Sequence, residues 1–254
     1  MSRQNTSFSG EFELNSPELS GLISYPHFTE QSYSQRIREM EFLGLQSLIT
    51  GNGKSSINGF SICGKGCVGL VFLARGPGGL VALKIRRTDA GRNSMDDEAK
   101  FLQLANDAGT GPKYLGHTKN LLAMEFVEGK SMIEWVKSAS ASQFRKAARS
   151  VLDQCFKLDL ADLDHGELSR LGRHVIVSPN CRPFIIDFES ASISRRTSNV
   201  TSAAQSLFLY GAVAGLANIV TSKIDKDATV AALRKYKHLR SRKSYRELVE
   251  FLTL

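Results

Sequence analysis

Two β-prone runs separated by glycines constrain this chain most. "GFSIC" (Gly59–Cys63) leads into "GKGCVG" (Gly64–Gly69), and "LVFLA" (Leu70–Ala74) follows. The turn signal "RGPGG" and the run "LVALKIR" complete what reads as a three-strand meander over residues 57–86. The placement excludes one class at once. A dinucleotide-binding GxGxxG opens a helix, whereas these glycines lie between strands. Gly64, Gly66 and Gly69 then form a flexible flap whose backbone N–H groups can face phosphates, with Val71 against a purine ring. Taken alone, the stretch reads more readily as a plain hairpin.

Lys84 distinguishes the two readings. It sits within the apolar run "LVALKI", where an ammonium is costly to bury unless it is paired or bound to an anion. One strand and one turn beyond the glycines, it can reach under them toward α- and β-phosphates. A carboxylate has to hold it. Glu98 is best placed, early in the helix expected for "SMDDEAKFLQLANDAG" with Ser94 as cap. Asp97 and Asp96 are the alternatives if the helix phase differs, and an acid there also suits the helix dipole.

A second cluster lies downstream. Asp187 ends the apolar run "PFII", where a carboxylate facing a cleft makes a good Mg²⁺ ligand, and Phe188 anchors it. Glu167, in "DHGELSRLGRH", is the carboxylate to orient or deprotonate an attacking hydroxyl. Ser169 is within reach of it and Arg170 of a phosphate, while His165 shapes the loop. His174 reads either as a second metal ligand or phosphate contact, or as loop surface.

The surrounding chain divides three ways. Residues 1–56 read as an N-terminal tail and helical extension: a polar tail or cap over 1–20, then a helix from Glu30 to about Leu43, capped by Thr29 and carrying Tyr33, Ile37 and Met40 on one side. Residues 57–128 are sheet-rich, with "PKYLGHTKNLLAMEFV" adding two strands. Residues 129–254 are helix-rich, with a long helix that turns Phe144, Ala148, Val151, Cys155 and Leu158 inward and two short strands, "HVIV" and "PFIIDF". The fold class is therefore α+β and bilobal. The 254 residues suffice for a sizeable core. The longest apolar run, Leu207–Val220, is short for a membrane span and reads as a buried helix. There is no basic-then-apolar presequence, and the four cysteines lack the companions of a metal set. A cytoplasmic protein with reduced thiols and no membrane association is expected. Net charge is +8, concentrated in residues 223–246 with nine basic and two acidic side chains, a stretch suited to RNA, a ribonucleoprotein or an acidic partner, or to a solvated helix surface.

In this order the motifs resemble the protein kinase-like superfamily over about residues 57–220. "GKGCVGLV" looks like the glycine-rich loop, Lys84 in "VALK" like the phosphate-pairing lysine, and Glu98 like its helix partner. "MEFVEG" (Met124–Gly129) resembles the gatekeeper and hinge, "HGEL" the catalytic loop and "IDFE" the metal-binding triplet. The chain is most similar to small atypical kinases: the RIO-type kinases, the small kinase of the tRNA-modifying KEOPS complex, and archaeal proteins predicted to be serine/threonine kinases. The resemblance implies a β-rich N-lobe and a compact helical C-lobe without a full activation segment. It also implies ATP and Mg²⁺ as cofactors and a protein hydroxyl, the chain's own included, as acceptor. Gly64, Gly66, Gly69, Val71, Ala82, Lys84, Glu98, Met124, Glu125, Val127 and His174 would then face the nucleotide, Asp187 and Glu189 the metal, and Glu167, Lys84 and Asp187 the chemistry. The sequence departs from the pattern at Glu167, where aspartate is usual, at His174, where asparagine is usual, and in Asp-Phe-Glu for Asp-Phe-Gly. No platform for extended peptides follows Ser190, so a folded partner or unusual substrate is expected, with Arg195 and Arg196 facing an acidic or phosphorylated surface.

Overall fold

The computed structural model describes residues 9–51, 53–220 and 225–254. The chain forms two compact units, one from residues up to Lys100 together with Lys113–Phe126, the other from Phe101–Pro112 and Val127–Leu254. The division thus falls between Phe126 and Val127, and the segment Phe101–Pro112, which the sequence assigns to the sheet-rich part, packs with the helical one.

The first unit holds, in chain order, strand β1 (Gly10–Glu13), helices α1 (Ser20–Ile23) and α2 (Glu30–Phe42), strands β2 (Ser47–Thr50), β3 (Ser55–Ile57), β4 (Phe60–Ile62), β5 (Gly64–Lys65), β6 (Gly69–Gly76) and β7 (Gly79–Arg86), the start of helix α3 (Asp96–Asp107), and strands β8 (Tyr114–His117) and β9 (Leu121–Glu125). An antiparallel sheet runs β1-β2-β6-β7-β9-β8, with β5 also paired to β6. Helix α2 begins on a capping box between Thr29 and Ser32. Glu39 of α2 accepts hydrogen bonds from Thr118 and Asn120 and so ties the helix to the β8–β9 turn.

Two expectations are corrected here. Residues 10–13 are an edge strand in register with Thr50–Ser47, and Leu14 and Leu19 beyond it are buried. The polar letters around them concealed this. The rest of the tail, residues 1–8, lies outside the described residues. The run "GFSIC" does not pair with "LVFLA": β4 folds onto β3 as a separate two-stranded sheet, and the short β5 takes the place beside β6.

Alternation along the central strands sorts the side chains. Leu70, Phe72, Ala74, Val81, Leu83, Ile85, Leu121 and Ala123 join Met40 and Leu48 in one buried core. Each fully buried Leu, Ile, Val, Phe or Met among them contributes about 1.5–3 kcal/mol, and each alanine less. The opposite parity places Val71, Lys84, Ala82 and Met124 together, since Val71 pairs with Lys84 and Ala82 with Met124. Of these Lys84 is buried and the other three are half-buried.

The second unit continues with β10 (Lys130–Ser131), α4 (Met132–Trp135), α5 (Ala141–Leu160), α6 (Leu171–His174), β11 (Val175–Val177), β12 (Pro183–Ile185), α7 (Asn199–Ala204), α8 (Gly211–Val220), α9 (Lys226–Leu239) and α10 (Arg242–Phe251). Helix α5 starts on a Ser140–Gln143 capping box and buries Phe144, Ala148, Val151, Cys155 and Leu158 completely. Strands β10-β11-β12 form a small antiparallel sheet. The apolar run from Leu207 is not one helix. A π-helical turn ends at Leu209, the chain bends at exposed Tyr210, and α8 restarts at Gly211 with φ +88°. Among the described residues no single helix is long and apolar enough to cross a membrane. The four cysteines are free thiols.

Candidate functional site

In the first unit, Lys84 Nζ lies 2.8 Å from Glu98 Oε1, with the two side chains 5% and 3% exposed. The partner is Glu98 rather than Asp96 or Asp97. Burying an ammonium and a carboxylate together costs several kcal/mol of hydration, which their attraction repays only with good geometry. A fold needing only stability would place apolar side chains there.

The glycine turn stands directly above this pair in the sheet. Gly64 pairs with Val71 and Lys65 with Leu70, and the Gly66 N–H closes the turn on the Gly69 carbonyl at 2.8 Å. A Cβ on Gly69 would lie 2.9 Å from Lys84 Cγ and 3.0 Å from the Ile85 carbonyl oxygen, so this glycine is required for Lys84 to lie as it does. Gly64 and Gly66 carry no such demand, since a Cβ there would meet nothing nearer than 3.6 and 3.4 Å. The expected flap is anchored: the Arg87 N–H donates to the Val68 carbonyl and its guanidinium to the Gly66 carbonyl, while Arg87 and Lys65 both lie over the Tyr25 ring.

Along β9, Met124 shares the parity of Ala82 and Lys84. The Glu125 N–H donates to the Lys113 carbonyl and its carboxylate accepts from the Lys113 N–H. That N–H is therefore already committed. Val127 begins the second unit.

In the second unit, the pairing of β11 with β12 brings the ends of two loops together. The Ile186 N–H donates to the His174 carbonyl, which sets His174 beside Asp187. The His174 ring lies between two carboxylates, with Nε2 3.1 Å from Glu167 Oε2 and Nδ1 3.7 Å from Asp187 Oδ2. Its side chain is 12% exposed, so it is not loop surface. Glu167 Oε1 accepts from Ser190 Oγ at 2.8 Å. Asp187 takes a left-handed backbone conformation, φ 68° and ψ 75°, at a cost on the order of 1–3 kcal/mol that the neighbouring packing must sustain.

His165 holds the loop from below. Its Nε2–H donates to the Ile186 carbonyl at 3.0 Å, its Nδ1 accepts from the Glu167 N–H, and its ring packs against Phe188. Burial pushes its pKa down to about 4, so the ring is neutral near pH 7. The His165 N–H reaches Asn199 Oδ1, and Asn199 in turn donates to Asp159, which also accepts from the Tyr236 hydroxyl. Burial pushes the Asp159 carboxyl up in pKa, against the pull of these hydrogen bonds.

Several assignments shift. Arg195 does not await an acidic partner: it is held by Asp164 at 3.0 Å and by the Ser190 carbonyl at 2.6 Å, because a carboxylate as buried as Asp164 needs a countercharge. Arg196 donates to the Lys237 carbonyl. The serine that meets Glu167 is Ser190, not Ser169. Sequence reasoning also missed Asn199 and Asp159, whose one signal was a pair of polar letters at positions that helical periodicity assigns to the core.

The donor set fits Mg²⁺ in one respect. This ion takes one or two carboxylates and fills its remaining sites with water and phosphate oxygens. Asp187, 39% exposed at its side chain, and half-buried Glu189 offer such oxygens, whereas the His174 nitrogens do not suit a hard cation. Among the described residues no three His, Cys, Asp or Glu side chains are grouped as an all-protein metal cage.

No protein-family model matches the chain. It is 32% identical over 91 residues to uncharacterized protein MJ1211 of Methanocaldococcus jannaschii, a match that takes in 36% of this chain and 77% of that protein.

Proposed function

The chain belongs to the family of that archaeal protein, a membership that brings no activity with it, and from the geometry we propose that it is an ATP- and Mg²⁺-dependent phosphotransferase of kinase-like fold that acts on a protein serine or threonine hydroxyl. The observation that carries the reading is the buried Lys84–Glu98 pair on the sheet face that also bears Val71, Ala82 and Met124. In this reading Glu98 orients Lys84, and Lys84 holds the nucleotide's phosphates. Gly69 leaves room for the lysine stem, and Val71, Ala82 and Met124 give the adenine an apolar seat. Because the Glu125 N–H is committed to Lys113, recognition of the adenine edge falls to the remaining main chain of Glu125–Val127.

Asp187, with Glu189, would hold Mg²⁺, which when bound neutralises charge on the phosphate oxygens. Glu167 orients the acceptor hydroxyl and takes its proton. Ser190 and His174 fix the direction of that carboxylate. Such catalysis relies on positioning and charge neutralisation more than on a strong base, which suits glutamate in this place. The exposed cations of α9 and α10 (Lys226, Arg234, Lys237, Arg242, Lys243 and Arg246) support an RNA-associated setting for the substrate.

One observation favours a second reading. Both Glu167 oxygens are engaged, by Ser190 and by His174. A nucleotide-driven switch that hydrolyses ATP, or only binds it, would need no carboxylate open to a hydroxyl. Incubation with Mg²⁺ and γ-labelled ATP separates the two. Label on protein, lost in both Asp187→Ala and Glu167→Gln, supports transfer. Free phosphate without labelled protein supports the switch, and absence of ATP affinity overturns both.

A further inference from the structure

Away from these residues, the second unit carries an open pocket of about 420 Å³ between the turn after α3, the outer side of α5 and strand β12. Its size is that of a small-molecule site. Two cations line it, Lys157 from the last turn of α5 and Arg182 from the residue before β12. Neither makes an ion pair among the described residues, and both are exposed. The α5 dipole accounts for a cation at Lys157 but not for Arg182, which is on no helix. The carboxylate in the same wall, Asp153, is paired with Arg149 and accepts a hydrogen bond from the Tyr245 hydroxyl, so it is already engaged and does not cancel the two cations. The Arg182 guanidinium lies 4.8 Å from the centre of the Phe184 ring and fixes that ring at the cavity wall.

We propose that this cavity binds a small organic anion, a phosphate or carboxylate joined to a flat apolar group, with Lys157 and Arg182 on the anion and Phe184 on the apolar part. The part of the wall beside Lys157, whose Nζ would lie 3.5 Å from a Cβ on Gly109, explains why a ligand here would matter. It is the turn Gly109–Thr110–Gly111, with both glycines at positive φ. A Cβ on Gly111 would lie 3.0 Å from Phe188, the residue after Asp187. The same turn ends α3, whose first turn carries Glu98. An occupant that shifts this turn presses on Phe188 and on the helix that holds Lys84. Occupancy therefore changes nucleotide affinity, and by linkage nucleotide changes occupancy by the same factor. This regulatory part rests on the nucleotide-binding reading; the binding site itself does not.

The test uses the whole chain without nucleotide, titrated with phenyl phosphate, benzoate and phenol, and follows the amide resonances of Gly109 and Gly111. Saturable shifts with phenyl phosphate or benzoate, and none with phenol, are expected; the tighter of the two anions identifies the headgroup. The Lys157→Gln/Arg182→Gln variant, altered only at exposed side chains, is expected to weaken binding about tenfold or more, that is, by about 1.4 kcal/mol or more. Equal binding of phenol, an unaffected double variant, or no shifts with either anion at millimolar concentration would overturn the site. If anion binding holds while ATP fails to bind in any form, the site stands and the nucleotide reading falls. If both bind without affecting each other, the coupling through Gly111 and Phe188 is wrong.

Discussion

The two charged clusters are built on opposite principles. In the first unit, Lys84 and Glu98 are a buried ion pair inside a sheet-and-helix core. In the second, Glu167, His174 and Asp187 form a partly open chain of side chains, with the two carboxylates 33% and 39% exposed. A dry pair cannot exchange partners cheaply, so it acts as a fixed anchor. An open cluster retains water and can trade it for ligand oxygens. In the proposed reading, the first cluster does the holding and the second the chemistry.

The largest effects should come from the open cluster. Glu167→Gln is expected to lower phosphoryl transfer roughly 10²–10⁴-fold, the range of a lost general base, with little change in melting temperature. A rate fall matched by a collapse in stability would place Glu167 in the scaffold instead. The dry pair should respond the other way: Lys84→Met removes the ammonium from beside buried Glu98 and should cost about 3–5 kcal/mol in urea unfolding. The Lys84→Met/Glu98→Leu double variant should recover most of that loss, because an apolar pair of similar volume is no worse for the fold.

Acid should expose the support beneath the open cluster. His165 titrates near 4 in the folded chain against 6.5 for the free group. The unfolded chain thus binds the extra proton first, and the stability that the neutral ring contributes, full above pH 6.5, is lost as pH falls toward 4. The loss amounts to about 3 kcal/mol, and His165→Gln should flatten it in melting curves across that window. At the glycine turn, Gly69→Ala should cost about 1–3 kcal/mol by pushing on Lys84 and on the Ile85 carbonyl, whereas Gly66→Ala should be close to neutral. Smallest of all, Arg75→Ala should release exposed Glu11, held by the Arg75 hydrogen bond at a pKa of about 2, back toward 4.5, read by NMR titration.

Much of the first cluster was legible in the sequence because its logic is local. A lysine in an apolar strand demands a carboxylate, and the helix that follows offers acids at only three positions in its first turn. Val71 joins Lys84 on one face only through the pairing of β6 with β7. The second cluster was legible as a set of letters but not as a geometry. His174 meets Asp187 because β11 and β12 pair, and Ser190 meets Glu167 across 23 residues of chain. No periodicity reports contacts of that kind. Arg195 was misread for the same reason, since its partner Asp164 is 31 residues away. The edge strand at residues 10–13 was hidden because an exposed strand needs few apolar letters, and the apolar run from Leu207 concealed a break that only Gly211's backbone reveals.

In the proposed reading, the buried pair is kept for a nucleotide and not for the fold. Calorimetric titration of Mg-ATP into the Lys84→Met/Glu98→Leu variant, beside the parent chain, tests it most directly. The account predicts a variant about as stable as the parent that has lost at least tenfold in ATP affinity. A stable variant that binds ATP as tightly as the parent would contradict it.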